Sequence, residues 1–144
     1  MTAAPDLILL DTNVLVHLVR GNEFGQAVNK SYGLTERKER PLISVVTVGE
    51  MLSLAKKLTW GDEKQAKMLD LVRELVLVDI NSEPVLRSYA AIDEYLRQNG
   101  RTIGKNDIWI AATVAATSAT LLTTDRDFDP LHESFIQRIY VGPP

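Results

Sequence analysis

Short apolar runs punctuate this chain, and between them apolar residues recur at helical rather than alternating spacing. Residues 7–10, Leu-Ile-Leu-Leu, have the pattern of a strand covered on both faces, and the run stops abruptly at Asp11. Comparable runs at 42–46, 76–79, 120–123 and 135–141 predict four further strands. A helix is expected over 12–20, with Thr12 or Asn13 as N-cap and Gly21-Asn22 as stop, followed by a weaker one over 23–36. Val48, Met51, Leu52 and Ala55 predict a helix over 47–58, with Thr47-x-x-Glu50 as a capping box that sets Glu50 in the first turn. Met68, Leu69, Val72 and Leu75 form the stripe of a helix over 63–75. Ser82 caps a helix with Pro84 in its first turn that runs to about residue 99, where Gly100 ends it. Asn106 is placed to cap a last helix over 107–117, whose Ile, Trp, Ala, Thr and Val content suits burial on most sides. Strands alternating with helices imply an α/β fold, a three-layer α/β/α domain around a central parallel sheet, and no linker or repeat divides residues 1–144.

Composition narrows the function classes. With 45% hydrophobic and 24% charged residues the chain reads as an ordinary globular protein, and no apolar run approaches the roughly 18 residues of a membrane span. The opening Met1-Thr-Ala-Ala-Pro-Asp6 lacks a basic region, so a cytoplasmic protein with no membrane partner is expected. Cysteine is absent, which removes thiolate nucleophiles and cysteine-based zinc sites. The net charge of −3 argues against nucleic-acid binding unless acids are gathered around cations, when two divalent ions would turn it to about +1.

Four acids satisfy that condition. In open parallel sheets ligands bind beyond the carboxyl ends of the strands. Asp11 ends the first predicted strand, Asp125 lies two residues past the fourth, Glu50 opens the helix after the second, and Asp107 opens the helix before the fourth. Unneutralised, four convergent carboxylates would repel one another, so the arrangement predicts bound metal, and hard oxygen ligands favour Mg²⁺ or Mn²⁺. Each acid alone also fits a structural role: Glu50 and Asp107 as complements of a helix dipole, Asp11 and Asp125 as turn residues. Four on one sheet edge carry the weight that none carries singly.

These residues also carry a resemblance. Leu10-Asp11-Thr12-Asn13 after an apolar strand, Thr47-x-x-Glu50, Asn106-Asp107-Ile-Trp-Ile-Ala-Ala112 and Thr123-Thr-Asp125-Arg-Asp127-Phe128 together resemble, in order and spacing, the PIN domain of VapC-type toxins. The resemblance implies a PIN-like α/β/α nuclease fold, Mg²⁺- or Mn²⁺-dependent RNA cleavage, a homodimer and a cognate VapB-type antitoxin. It implies Asp11, Glu50, Asp107 and Asp125 as catalytic and metal-binding acids, Asn13 and Thr124 as polar neighbours, and Asp127 as an accessory ligand. A metal pair of this kind makes water a nucleophile on one side of the phosphate and stabilises the leaving 3′-oxygen on the other, leaving a 5′-phosphate. Asp11 and Asp107 are expected to hold the metals most directly, with Asp125 completing the shell. The expected substrate is single-stranded or loop RNA, with transfer RNA as the candidate target.

Lys105 and Arg126 flank the acids and could touch the RNA backbone, although exposed cations are commonly just solvated. Gly100-Arg-Thr-Ile-Gly104-Lys105-Asn106 is one residue short of a phosphate loop and follows a helix, so it reads as a loop beside the site. His17 is expected to be structural, Phe128 a core plug, and Trp60 and Trp109 core or interface residues. A haloacid-type phosphatase would need an acid where Asn13 stands, and a receiver domain would need an acidic pair after the first strand. A non-catalytic PIN scaffold that binds RNA or assembles, and a structure-specific DNA nuclease, remain as alternatives. Helix 47–58 bears Leu54 and Leu58 besides Met51 and Leu52, more apolar surface than one core face uses, in keeping with a dimer.

Overall fold

Strand β1, Ile8–Leu10, is the centre of the sheet, and the alternation of its three side chains organises both layers around it. The structure is a computed structural model that describes residues 5–142; residues 1–4, part of the stretch read for a leader, lie outside the described residues. β1 pairs in parallel with β2, Leu42–Ser44, on one side and β4, Thr120–Thr123, on the other. β3, Val76–Val78, and β5, Gln137–Tyr140, complete a parallel sheet in the order β3-β2-β1-β4-β5. The chain therefore winds outward from β1 to β3 and then returns to β4 on the other side of β1. Between β1 and β4 lies the topological switch point, where the loops leaving the two strands diverge and open a crevice.

Leu9 points to one face, into a cluster with Ile92 and Leu96 of α5 (Glu83–Gln98), Ile110 and Val114 of α6 (Lys105–Thr117), and Phe128. Ile8 and Leu10 point to the other, against Val14 of α1 (Thr12–Arg20) and Val28 of α2 (Glu23–Tyr32). A third cluster joins α1 to α3 (Val45–Lys57) and α4 (Asp62–Arg73) through Leu15, Val19, Met51, Ala55, Trp60 and Met68. The three-layer α/β/α arrangement is thus the one expected. β3 departs from it in detail, since Val76 and Leu77 are about half exposed and only one side of this edge strand is paired.

Several boundaries differ from the sequence reading. The cap of α1 is neither Thr12 nor Asn13 but Asp11, whose carboxylate accepts the Thr12 N–H. β2 stops at Ser44, whose hydroxyl accepts the Val46 N–H, so α3 starts at Val45 and the expected capping box does not form. Thr47 and Glu50 lie inside the helix, which has no acid in its first turn. α6 starts two residues early, at Lys105, with Gly104 and not Asn106 at its cap. α2 ends at Tyr32 because Gly33 takes a left-handed conformation with φ of 58°. Ser82 and Gly21 behave as expected, and His17 is held by Asn22 at 2.9 Å and packs on Phe24.

After β4 the chain forms a 3₁₀ turn, Arg126–Leu131, pinned by Phe128 and Leu131, both fully buried. We predict that Phe128→Ala costs roughly 3–5 kcal/mol of stability through lost burial and the cavity left behind. Urea unfolding at constant slope measures it, and a loss below about 1 kcal/mol would show that the turn is not anchored through this ring.

Candidate metal centre

The carboxyl ends of β1 and β4 lead directly to Asp11 and Asp125 at the switch point. Asp11 is only 3% exposed, and its environment is polar on purpose-built sides. One oxygen accepts the Thr12 N–H at 2.8 Å and the other accepts the Thr123 hydroxyl at 2.6 Å. Thr123 is itself fully buried, and its hydroxyl also accepts the Asp125 N–H at 2.9 Å, so one side chain ties the two strand ends together. The Asp125 carboxylate in turn accepts the Asp127 N–H at 2.8 Å and caps the 3₁₀ turn, which fixes the spacing of these two acids.

Opposite them, the Thr12 hydroxyl donates to Glu50 Oε1 at 2.7 Å and lies 3.0 Å from the buried Thr47 hydroxyl. This bridge between α1 and α3 explains why Glu50, in the second turn of its helix, still faces the crevice. Asp107, in the first turn of α6, completes the set. One carboxylate oxygen each from Asp107, Asp125 and Asp127 lies within 4.8 Å of the others, a separation that one cation can bridge after modest side-chain adjustment.

The electrostatics show the cost of gathering these acids. Burial is the main cause that pushes the Asp11 carboxyl up to about 6; the Thr123 and Thr12 hydrogen bonds hold it down, and the charges of Asp125 and Glu50 raise it again. Asp107 is pushed up to about 7, first by burial and then by the charges of Asp11, Asp125, Glu50 and Asp127 in turn. The four neighbouring charges that act on Asp107 are all repulsive. Acidic groups that burial and mutual repulsion make reluctant to ionise fit a divalent cation, which would remove both penalties at once.

The structure therefore brings together Asp11, Glu50, Asp107, Asp125 and Asp127. One carboxylate oxygen each from Asp107, Asp125 and Asp127 forms the tight group, while each Asp11 oxygen accepts one hydrogen bond from the protein and keeps a further lone pair. Asn13 and Lys105 are exposed at the starts of α1 and α6. The hydroxyl that reaches Asp11 belongs to Thr123, the residue before the polar neighbour Thr124. The roles of Thr12 and Thr47 had no local signature in the sequence, because the Thr12–Thr47 and Thr12–Glu50 contacts span 35 and 38 positions. Arg126 stacks on the Tyr140 ring with 3.9 Å to its centroid.

Two open clefts flank the acids. One of about 810 Å³ runs along the α5–α6 loop to Asp127, and one of about 530 Å³ lies between α3 and α6 with Glu50 in its wall. The loop at residues 100–104 thus lies beside the site, as expected, and forms one wall of the larger cleft.

Comparison with known proteins gives one consistent neighbourhood. Residues 8–132 match the PIN domain family. Ribonuclease VapC1 of Haemophilus influenzae strain R2866 is 28% identical over 120 residues, covering 81% of this chain and 85% of the relative. Ribonuclease VapC5 of Mycobacterium tuberculosis is 26% identical over 133 residues, 91% and 92% of the two chains. In three dimensions the chain superposes on VapBC2 from Rickettsia felis, solved bound to a promoter DNA fragment, with a TM-score of 0.79 at 22% identity over 93% of this chain and 98% of that one.

The raised carboxyl values make a signed prediction for the metal-free protein. Both groups hold protons in the folded state that the unfolded chain, near the ordinary 3.8, has released, so their contribution to stability is greatest below about 4 and is lost as pH rises through about 6 and 7. In EDTA the melting temperature of the wild type should fall across that window relative to Asp107→Asn, which removes the group with the higher value. The contribution from Asp11 is on the order of 2–3 kcal/mol. Parallel pH profiles for the two proteins would contradict the repulsive cluster.

Proposed function

The chain belongs to the PIN domain family, and on that premise we propose that it is a metal-dependent endoribonuclease, the toxin of a toxin–antitoxin pair. One observation carries the reading: five carboxylates share a crevice at the sheet's switch point, two of them driven toward the neutral form by burial and repulsion. A purely structural role gives no reason to accumulate that much unfavourable charge. The shared name of the curated relatives, Ribonuclease VapC, supports RNA as the substrate class.

Asp107, Asp125 and Asp127 would hold Mg²⁺ or Mn²⁺, with Asp11 beneath them as the buried negative charge that draws the ions in. When bound, the cations supply positive charge at the scissile phosphate and make water acidic enough to attack near neutral pH. Thr123 fixes the Asp11 carboxylate, and through the Asp125 N–H it sets the distance between the two strand ends. Thr12 holds one oxygen of Glu50 and leaves the other to take a proton from the attacking water. Because clefts open on both sides of the acids, a strand can pass across the site without presenting an end, which supports internal cleavage. Single strands and loops can align a phosphate with such a crevice more readily than a stacked duplex can, and transfer RNA loops are substrates of this kind.

The partners follow from the same reading. A VapB-type antitoxin is the cognate inhibitor, and a homodimer would cover Leu52 and Leu58, which α3 leaves 45% and 44% exposed while Met51 is fully buried. Among the described residues no helix is long and apolar enough to cross a membrane.

Purified protein with Mg²⁺ should cut single-stranded RNA to give 5′-phosphate ends, and EDTA should stop it. Asp107→Asn should abolish cleavage while raising metal-free stability. Thr123→Val should lower activity roughly 10–100-fold by releasing a carboxylate it positions. Mapping and counting of ends on total RNA read the cleavage outcomes, and thermal melting in EDTA reads the stability; 5′-hydroxyl ends, or full activity of Asp107→Asn, would overturn the mechanism.

A further inference from the structure

The larger cleft has a chemistry that the acids do not explain. Its walls are the α5–α6 loop and the 3₁₀ turn, and they carry two guanidinium groups, Arg101 and Arg126, beside Asp127. Arg126 is preorganised, since its guanidinium lies on the Tyr140 ring at 3.9 Å to the centroid and so loses little freedom on binding a ligand. Asp129 is shared, pairing with Arg138 at 2.9 Å through one oxygen and with Arg126 at 3.8 Å through the other, so it compensates Arg126 only in part. Once Asp127 is engaged by a cation, the cleft is a site of positive charge with Asn99 and Thr102 as additional polar groups. Lys105, although adjacent in sequence, is not among the residues lining it.

We propose that this cleft is a backbone subsite, in which Arg101 and Arg126 grip phosphates of a single nucleic-acid strand next to the one being cut. The inference rests on the nuclease reading of the neighbouring acids. Planar guanidinium forks suit phosphate oxygens better than a lysine does, and the stacked Arg126 offers its outer face to an unstacked base. The subsite supplies affinity and the direction of the strand, and selects for flexible strands over duplex because its two cations lie on opposite walls of one cleft.

Binding and cleavage are separable in the test. A fluorescent twelve-nucleotide single-stranded DNA, used as an uncut stand-in for the RNA backbone, is titrated by anisotropy in Mg²⁺ at several salt concentrations, and its integrity is checked afterwards. Arg101→Ala with Arg126→Ala should weaken binding about tenfold or more and reduce the salt slope by roughly 1.4, about 0.7 per lost phosphate contact. Arg126→Lys, which retains the charge without the stack, should fall between, and Arg87→Ala on the exposed face of α5 should bind as wild type. With RNA as substrate the double variant should raise KM and leave kcat within about twofold. A double variant that binds like wild type, or wild type that does not bind the strand, overturns the subsite. Displacement of the strand by micromolar uridine monophosphate would overturn it as well, by assigning the cleft to a free nucleotide. Intact binding without any RNA cleavage would leave the subsite standing and remove the ribonuclease reading.

Discussion

A carboxylate held almost out of water, that of Asp11 at the end of the central strand, is the constraint from which the rest of the site follows. Its two oxygens accept hydrogen bonds from Thr12 and Thr123, yet its charge still faces Glu50, Asp107 and Asp125. Hydrogen bonds answer the loss of hydration but not the repulsion. The parallel sheet makes the arrangement possible, because β1 and β4 are neighbours in space and 110 residues apart in sequence, and their loops diverge at the point where the acids meet. The hydrophobic clusters on both faces hold that edge rigid enough for the carboxylates to stay close.

The positions of the acids and the nature of the sheet were legible in the sequence, because they depend on local patterns. A continuous apolar run ending in Asp reads as a buried strand with an acid at its mouth, and residues 8–11 are that. The run Val45-Val46-Thr47-Val48 misled, since β-branched residues favour a strand and Thr47 resembles a cap. In the fold, Ser44 caps first, and burial of α3 against α1 and α4 outweighs the weak intrinsic preference of those valines. Asn106 was likewise a better cap on paper than Gly104, but α6 is held by its contacts with α5 and the sheet.

What the sequence could not disclose is the set of hydroxyls between the acids. Thr12 and Glu50 are 38 positions apart, and Thr123 and Asp11 are 112 apart, so neither pair has a local signature. Threonines in strands and helix starts are too common to single out without the fold. The fold also places an oxygen of Asp127, read from sequence as an accessory, close to those of Asp107 and Asp125, while protein donors orient Asp11.

The central claim is that this carboxylate cluster is incomplete without a divalent cation, and metal-linked proton release tests it most directly. Near pH 6.5 the metal-free site should retain on the order of one proton, shared chiefly by Asp107 and Asp11, which ion binding must expel. Calorimetric titration with Mg²⁺ or Mn²⁺ in buffers of different ionisation enthalpy should therefore give buffer-dependent heats at pH 6.5, with release fading by about pH 8 and largely lost in Asp107→Asn. Saturable binding with no proton release at pH 6.5, or no binding at all, would contradict the account.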